Sequence, residues 1–207
     1  MSARPSKIEW TDRTWNPLVA FRRTGEPHVF GPKQSPFVKG KRGWFCTKIS
    51  PGCANCYAEA MNLRLGTGHE YARRNEEEIE FGLVRMQAPS QWARPCRVFV
   101  NSMTDLFHER VPAAMIWGVF DAMAKAPQHT FQVLTKRAKR MREFCNAHFA
   151  KPLPNVHLGV STEDQERADE RVPELLATPA AVRFLSVEPM LGPIILQLAR
   201  HVAPHCE

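Results

Sequence analysis

Three thiols crowd into the run Cys46-Thr-Lys-Ile-Ser-Pro-Gly-Cys53-Ala-Asn-Cys56-Tyr-Ala-Glu59, with six residues separating the first pair and two the second. Three thiolates on one loop can hold a metal and leave a coordination position open, which separates a reactive centre from a closed structural one. An iron–sulfur cubane normally takes four thiolates, so a cubane on three would keep one iron open to a ligand or cofactor. The residues leave three readings. One is a redox-active cluster on Cys46, Cys53 and Cys56. Another is a zinc site completed by Cys96, Cys145 or a distant histidine. The last is inert or disulfide-paired cysteines. Standard zinc modules pair two short ligand motifs, and here there is no second one.

Such a loop must be closed and held. Ser50-Pro51-Gly52 is turn chemistry, since Pro fixes one φ and Gly relieves a strained one; the turn would bring Cys53 back towards Cys46. From Cys53 onward, Ala54, Tyr57, Ala58, Ala60, Met61, Leu63 and Leu65 predict a helix with an apolar face. Cys53 and Cys56, three apart, would share the face of its first turn, where the positive helix end favours thiolate.

The whole chain bounds the setting. Its 207 residues, 43% hydrophobic and 24% charged, suffice to bury a core and predict one globular domain over 1–207. The first ten residues carry no apolar signal-peptide core, and no apolar run is long enough to cross a bilayer. A cytoplasmic, reduced setting is expected, in which the six cysteines are ligands or thiols rather than disulfides.

Four short apolar runs predict buried strands: 97–101, 130–135, 155–160 and 182–187. Between them lie helical patterns over 111–126, 137–149 and 164–177, with Pro173 expected to break or restart the last. Alternation of strand and helix predicts an α/β protein with a parallel sheet. Trp10, Trp15 and Pro17 suggest an extended first segment. The stretch 20–43, rich in Gly, Pro and basic residues, reads as a long basic loop or insertion.

Each predicted strand ends in polar groups: Asn101-Ser102 with Asp105, Thr135-Lys136-Arg137, Ser161-Thr162-Glu163, and Ser186 with Glu188. In parallel α/β folds the carboxyl ends of the strands form the binding face. The plain alternative is that these residues start loops and cap helices, Ser161 and Thr162 in particular. The net charge of +7 suits nucleic acid or another polyanion. Lys136 and Arg137 lie where substrate would approach. Lys139, Arg140 and Arg142 continue along the next helix, and Arg22, Arg23, Lys33, Lys39, Lys41 and Arg42 precede the cysteines. A solvated helix face is the bland reading of the same charges.

The runs Ile8-Glu-Trp-Thr-Asp12, Thr14-Trp-Asn-Pro17, Ser50-Pro-Gly-Cys-Ala-Asn-Cys-Tyr-Ala-Glu59, Phe99-Val-Asn-Ser-Met-Thr-Asp-Leu-Phe-His108, Phe131-Gln-Val-Leu-Thr-Lys-Arg137, Leu158-Gly-Val-Ser161 and Ser186-Val-Glu-Pro189 closely resemble a phage-associated three-Cys-motif family of uncharacterised proteins. That family looks like a divergent branch of the radical S-adenosylmethionine (radical SAM) enzymes. The resemblance implies a partial (βα) barrel of mostly parallel strands. It further implies a 4Fe-4S cluster on Cys46, Cys53 and Cys56, with S-adenosylmethionine on the open iron as the source of a radical. Asn101, Ser102 and Asp105 are then candidates for the methionine or ribose part. Thr135, Lys136 and Arg137 would meet a carboxylate or a substrate phosphate, and Ser161 and Glu188 would complete the adenosine or substrate side.

This chain departs from the commoner radical SAM pattern. Six residues rather than three separate its first two cysteines, and the aromatic Tyr57 follows Cys56 instead of preceding it. It also ends soon after Gly192-Pro193, where recognised relatives continue into a Gly-rich strand. The expectation is a barrel lacking its last strand, truncated over 194–207 or completed by a partner protein. Competing with a radical SAM-like enzyme of unknown substrate are a zinc- or cluster-stabilised basic module that binds nucleic acid without catalysis, and a structural remnant.

Overall fold

The computed structural model describes residues 8–22 and 42–196. Along the chain run β1 (Arg13–Trp15), β2 (Leu18–Arg22), β3 (Arg42–Gly43), a 3-10 turn at Pro51–Cys53, α1 (Tyr57–Leu65) and β4 (Ile79–Leu83). The second half alternates β5 (Arg97–Val100), α2 (Ala113–Ala124), β6 (Thr130–Thr135), α3 (Ala138–His148), β7 (Val156–Ser161), α4 (Gln165–Leu176) and β8 (Val182–Ser186).

Five strands form one parallel sheet in the order β1-β5-β6-β7-β8, so the chain is a mixed α/β protein with four α-helices among the described residues. The register aligns Thr14 with Phe99, Val98 with Phe131, Val133 with Leu158 and Val160 with Leu185. Each step from β5 to β8 crosses through one helix, as parallel pairing requires. The sheet core is built by Val98, Val100, Phe131, Val133, Val156, Leu158 and Val160, all buried. Ile116, Val119, Phe120 and Met123 recur at helical spacing on α2 and bury one face. Phe120 meets Phe144 and Phe149, with ring centroids 5.8 and 4.9 Å apart. Each such side chain contributes about 2 kcal/mol through lost apolar exposure.

Three local expectations are corrected. The stretch 20–43 begins and ends in paired strands: β2 runs antiparallel to β3 and to β4, forming a second sheet of order β3-β2-β4. Residues 23–41, and with them Arg23, Lys33, Lys39 and Lys41, lie outside the described residues, as do 197–207. Pro173 does not break its helix; α4 runs through it. Burial of Val172 and Leu175 on either side outweighs the missing N–H, and the N-cap Asp164 accepts from Arg167 N at 2.8 Å. Ser161 therefore ends β7 and Thr162 follows it, and neither caps α4.

The third correction concerns α1. It starts at Tyr57, with Cys56 as an extended N-cap at φ −69°, ψ 115°, while Cys53 closes the 3-10 turn. The two cysteines thus flank a kink instead of sharing a helical face. The helix also buries its polar residues. Ala58, Glu59 and Asn62 face inward, while Tyr57, Met61, Leu63 and Leu65 are exposed. Asn62 explains the inversion: its Oδ1 accepts from Trp44 N and Thr67 N, and its Nδ2 donates to Thr67 Oγ1 and His69 O. A buried amide with all four positions filled holds three backbone segments together. No helix among the described residues is long and apolar enough to cross a membrane.

Candidate functional site

A cavity of about 720 Å³ lies over the carboxyl ends of the parallel strands. Asn101 follows β5, Thr135 ends β6, Ser161 ends β7 and Ser186 ends β8, and all four line it. The cysteine loop forms another wall, contributing Cys46, Cys53 and Cys56. Ser102, Asp105, Lys136, Arg137 and Glu188 complete the set expected from sequence, and every one of them lines this same cavity. Trp10, Phe99, Tyr57 and Leu191 add apolar wall. The volume suits a ligand of nucleoside or cofactor size.

These residues do different work. Asp105 is engaged inside the protein: its Oδ1 accepts from Phe107 N and Thr135 Oγ1, and its Oδ2 from Lys136 N and Arg137 Nη1. Burial disfavours its charge, yet Arg137 and these donors hold its carboxyl below the usual carboxylate range. Arg137 is buried too. Its Nε donates to both Glu109 oxygens, at 3.0 and 2.9 Å, and its Nη2 to Thr47 Oγ1 at 2.8 Å. Its Nη1 reaches Asp105 Oδ2 at 3.1 Å and Cys46 Sγ at 3.6 Å. Burial opposes its charge, but Asp105, Cys46 and Glu109 together raise its pKa.

Lys136 Nζ lies 3.0 Å from Glu163 Oε1. Arg140 donates to the Phe107 and Val111 carbonyls, and Arg142 to Glu174. Lys136 and Arg137, expected to meet a carboxylate or a substrate phosphate, both line the cavity and both face carboxylates of the protein, Lys136 Nζ as an ion pair without a hydrogen bond. Only the folded chain reveals this, because Asp105 and Glu109 lie 32 and 28 residues before Arg137.

Two residues of the cavity lining carry unpaired polar atoms: Asn101 Nδ2 and Thr104 Oγ1 are buried and have no hydrogen-bond partner among the described residues. An unpaired buried donor costs about 1–3 kcal/mol, which a ligand acceptor would offset. Asn101 also holds a left-handed backbone at φ 55°, tolerated by Asn better than by most residues. Its Oδ1 fixes the turn by accepting from Leu18 N at 3.2 Å. Ser102 Oγ donates to Asn16 Oδ1, and the Ser102 carbonyl accepts from Tyr57 OH, tying the β5 end to α1.

Residues that the sequence left unassigned secure the loop. Glu163 is fully buried: its Oε1 accepts from Ser50 Oγ in the cysteine turn, and its Oε2 from Arg171 Nη1 at 2.9 Å. A side chain on Gly52 would strike Glu163 Oε1 and Lys136 Nζ at 2.9 Å, so this glycine permits the close approach. At the other end, His108 is buried. Its Nδ1 accepts from Arg110 N at 3.2 Å, which leaves Nε2 to donate to Thr47 Oγ1 at 3.1 Å. Burial, then Arg137, push His108 down to about 4. Burial also pushes the Cys46 thiol up to about 11, against the pull of Arg137.

Cys46, Cys53 and Cys56 are free thiols. Among the described residues, no three His, Cys, Asp or Glu side chains converge closely enough to hold one metal ion. The loop does not present a ready-made mononuclear centre, whose ligands would all sit about 2.0–2.3 Å from one point.

Residues 41–203 match a family model described as protein of unknown function (DUF5131). No curated protein and no solved structure matches the chain.

Proposed function

The chain belongs to the DUF5131 family, and we propose that it is a radical SAM-like iron–sulfur enzyme built on a partial (βα) barrel. One observation carries the reading: three loop cysteines and the polar ends of four parallel strands line a single cavity. A polynuclear cluster takes its thiolates on different irons, which suits cysteines that surround a space better than ones that meet at a point. Cys46, Cys53 and Cys56 would hold it. Asn101 Nδ2 and Thr104 Oγ1 supply unpaired donors for the polar groups of a sulfonium cofactor in the remaining volume. Trp10, Phe99 and Leu191 offer apolar wall. When bound, a reduced cluster and S-adenosylmethionine supply one-electron cleavage of a carbon–sulfur bond.

The residues of the chain position and shield. Glu163 and Asn62 hold the two flanks of the cysteine segment. Buried Phe45 and Tyr71 close its inner side against water. A polyanionic substrate finds less support, because Lys136, Arg137, Arg140 and Arg142 are all engaged within the protein. A neutral or zwitterionic substrate suits this charge balance better.

Anaerobic reconstitution with iron and sulfide tests the proposal. The protein should turn brown, retain iron and sulfide, and form 5′-deoxyadenosine from S-adenosylmethionine under a low-potential reductant. Cys46→Ala, Cys53→Ala and Cys56→Ala should each lose the iron. Stoichiometric zinc with no capacity for iron would refute the reading.

A further inference from the structure

Arg137 differs from the other cations of the site in what it faces. Its planar guanidinium is fixed on three sides, by Glu109, Asp105 and Thr47, and the remaining direction of Nη1 is Cys46 Sγ at 3.6 Å. Among the described residues, Cys46 is the one loop cysteine with a cation in hydrogen-bonding range of its sulfur; Cys53 Sγ has the Ser50 hydroxyl at 3.7 Å. The cage is electrostatically lopsided. Asp105 is buried beside the cation, whereas Glu109 reaches it from solvent with its side chain 59% exposed.

We infer that Arg137 is a tuning residue that makes a cluster bound at Cys46 easier to reduce, with Glu109 as its counterweight. The inference rests on the iron–sulfur reading above. Reduction adds one electron from a one-electron donor outside the protein; no protein bond forms or breaks and no proton is required. The added negative charge spreads over the cluster and its thiolate ligands. A guanidinium held against one of those sulfurs stabilises it, and hydrogen bonds to sulfur act in the same direction. The Glu109 carboxylate opposes part of that field. Lys cannot replace Arg here, because a single ammonium cannot reach both carboxylates and the sulfur as the planar fork does.

The test is an anaerobic potentiometric titration of the reconstituted full chain, followed by electron paramagnetic resonance. Wild type, Arg137→Lys and Glu109→Gln are compared at matched iron and sulfide content. Arg137→Lys should shift the midpoint to more negative potential, and Glu109→Gln to more positive potential. A residue that only braces the fold would change stability and leave both midpoints in place. Midpoints that stay fixed, or move in the same direction, overturn the inference while the cluster itself stands. If Arg137→Lys fails to fold or to take the cluster, the exposed Glu109→Gln decides alone: a positive shift supports the inference and no shift overturns it. A wild-type chain that takes up no cluster defeats the iron–sulfur reading and this inference together.

Discussion

Cys46 and Cys56 end the same short loop in opposite surroundings. Cys46 follows the buried Phe45 and precedes the buried Thr47, and its sulfur meets a caged guanidinium. Cys56 caps a helix whose next residue is exposed and whose apolar side chains Met61 and Leu65 face outward. At the first thiol a buried charge touches the cysteine itself, whereas on the other side the buried Glu163 is reached only through the Ser50 hydroxyl. A buried ion network is rigid and costly to break, because removing one member strands the others. The Ser50 side is anchored by fewer groups. The loop is thus firmly held at its first thiol and lightly held at its last.

The largest expected effect breaks the firm end. Arg137→Ala leaves Asp105 buried without its cation and should cost about 3–5 kcal/mol in urea denaturation. A loss below about 1 kcal/mol would mean that both ends are equally light. Acid should attack the same end. His108 has a folded pKa of about 4, below its ordinary 6.5, so between these values the unfolded chain binds more protons. Its contribution is complete above pH 6.5 and is lost as pH falls towards 4, by up to about 3 kcal/mol. Protonation also removes the Nδ1 acceptor for Arg110 N. Asp105, held low, extends the loss below the ordinary carboxylate range. Stability measured from pH 7 to 4 should fall in wild type and much less in His108→Gln; parallel curves would clear His108.

Smaller effects probe the light end. Ser50→Ala removes one hydrogen bond to a charged carboxylate and should cost about 1.5 kcal/mol. It should speed amide exchange over residues 50–56 and leave Phe45–Thr47 unchanged; faster exchange at both ends would erase the contrast. Met61→Ala, on the exposed face of α1, should stay within about 0.5 kcal/mol of wild type. A larger loss would show that this face is covered.

The sequence revealed elements more readily than partners. β5 to β8 fall within one residue of their expected bounds, because each is a short β-branched or aromatic run bounded by polar residues. The second sheet was obscured: Leu18–Arg22 is an apolar run that the Gly- and Pro-rich stretch after it disguised. In α1, hydrophobicity pointed to the wrong face, since Asn62 and Glu59 earn their burial by bonding backbone from distant segments. The same limit applied to the site. Residue types at the strand ends were legible, and they do share one cavity. Which of them are already engaged was not, because Glu109, Thr47 and Glu163 come from separate loops that only the fold brings together.

The pairing of β1 with β5 has a consequence for the order of assembly. Thr14 lies beside Phe99, whereas each later strand pairs with its neighbour across a single helix. Closing the longer loop costs more chain entropy before any contact rewards it, so the β5–β8 block can form first and β1 docks late. Leu18 N reaches Asn101 Oδ1, and Asn16 Oδ1 accepts from Ser102 Oγ and Met103 N, all just beyond β1. The cavity rim is therefore finished at the end of folding, after the block beneath it is already solid. In pulsed hydrogen exchange, protection at Val133 should precede protection at Trp15.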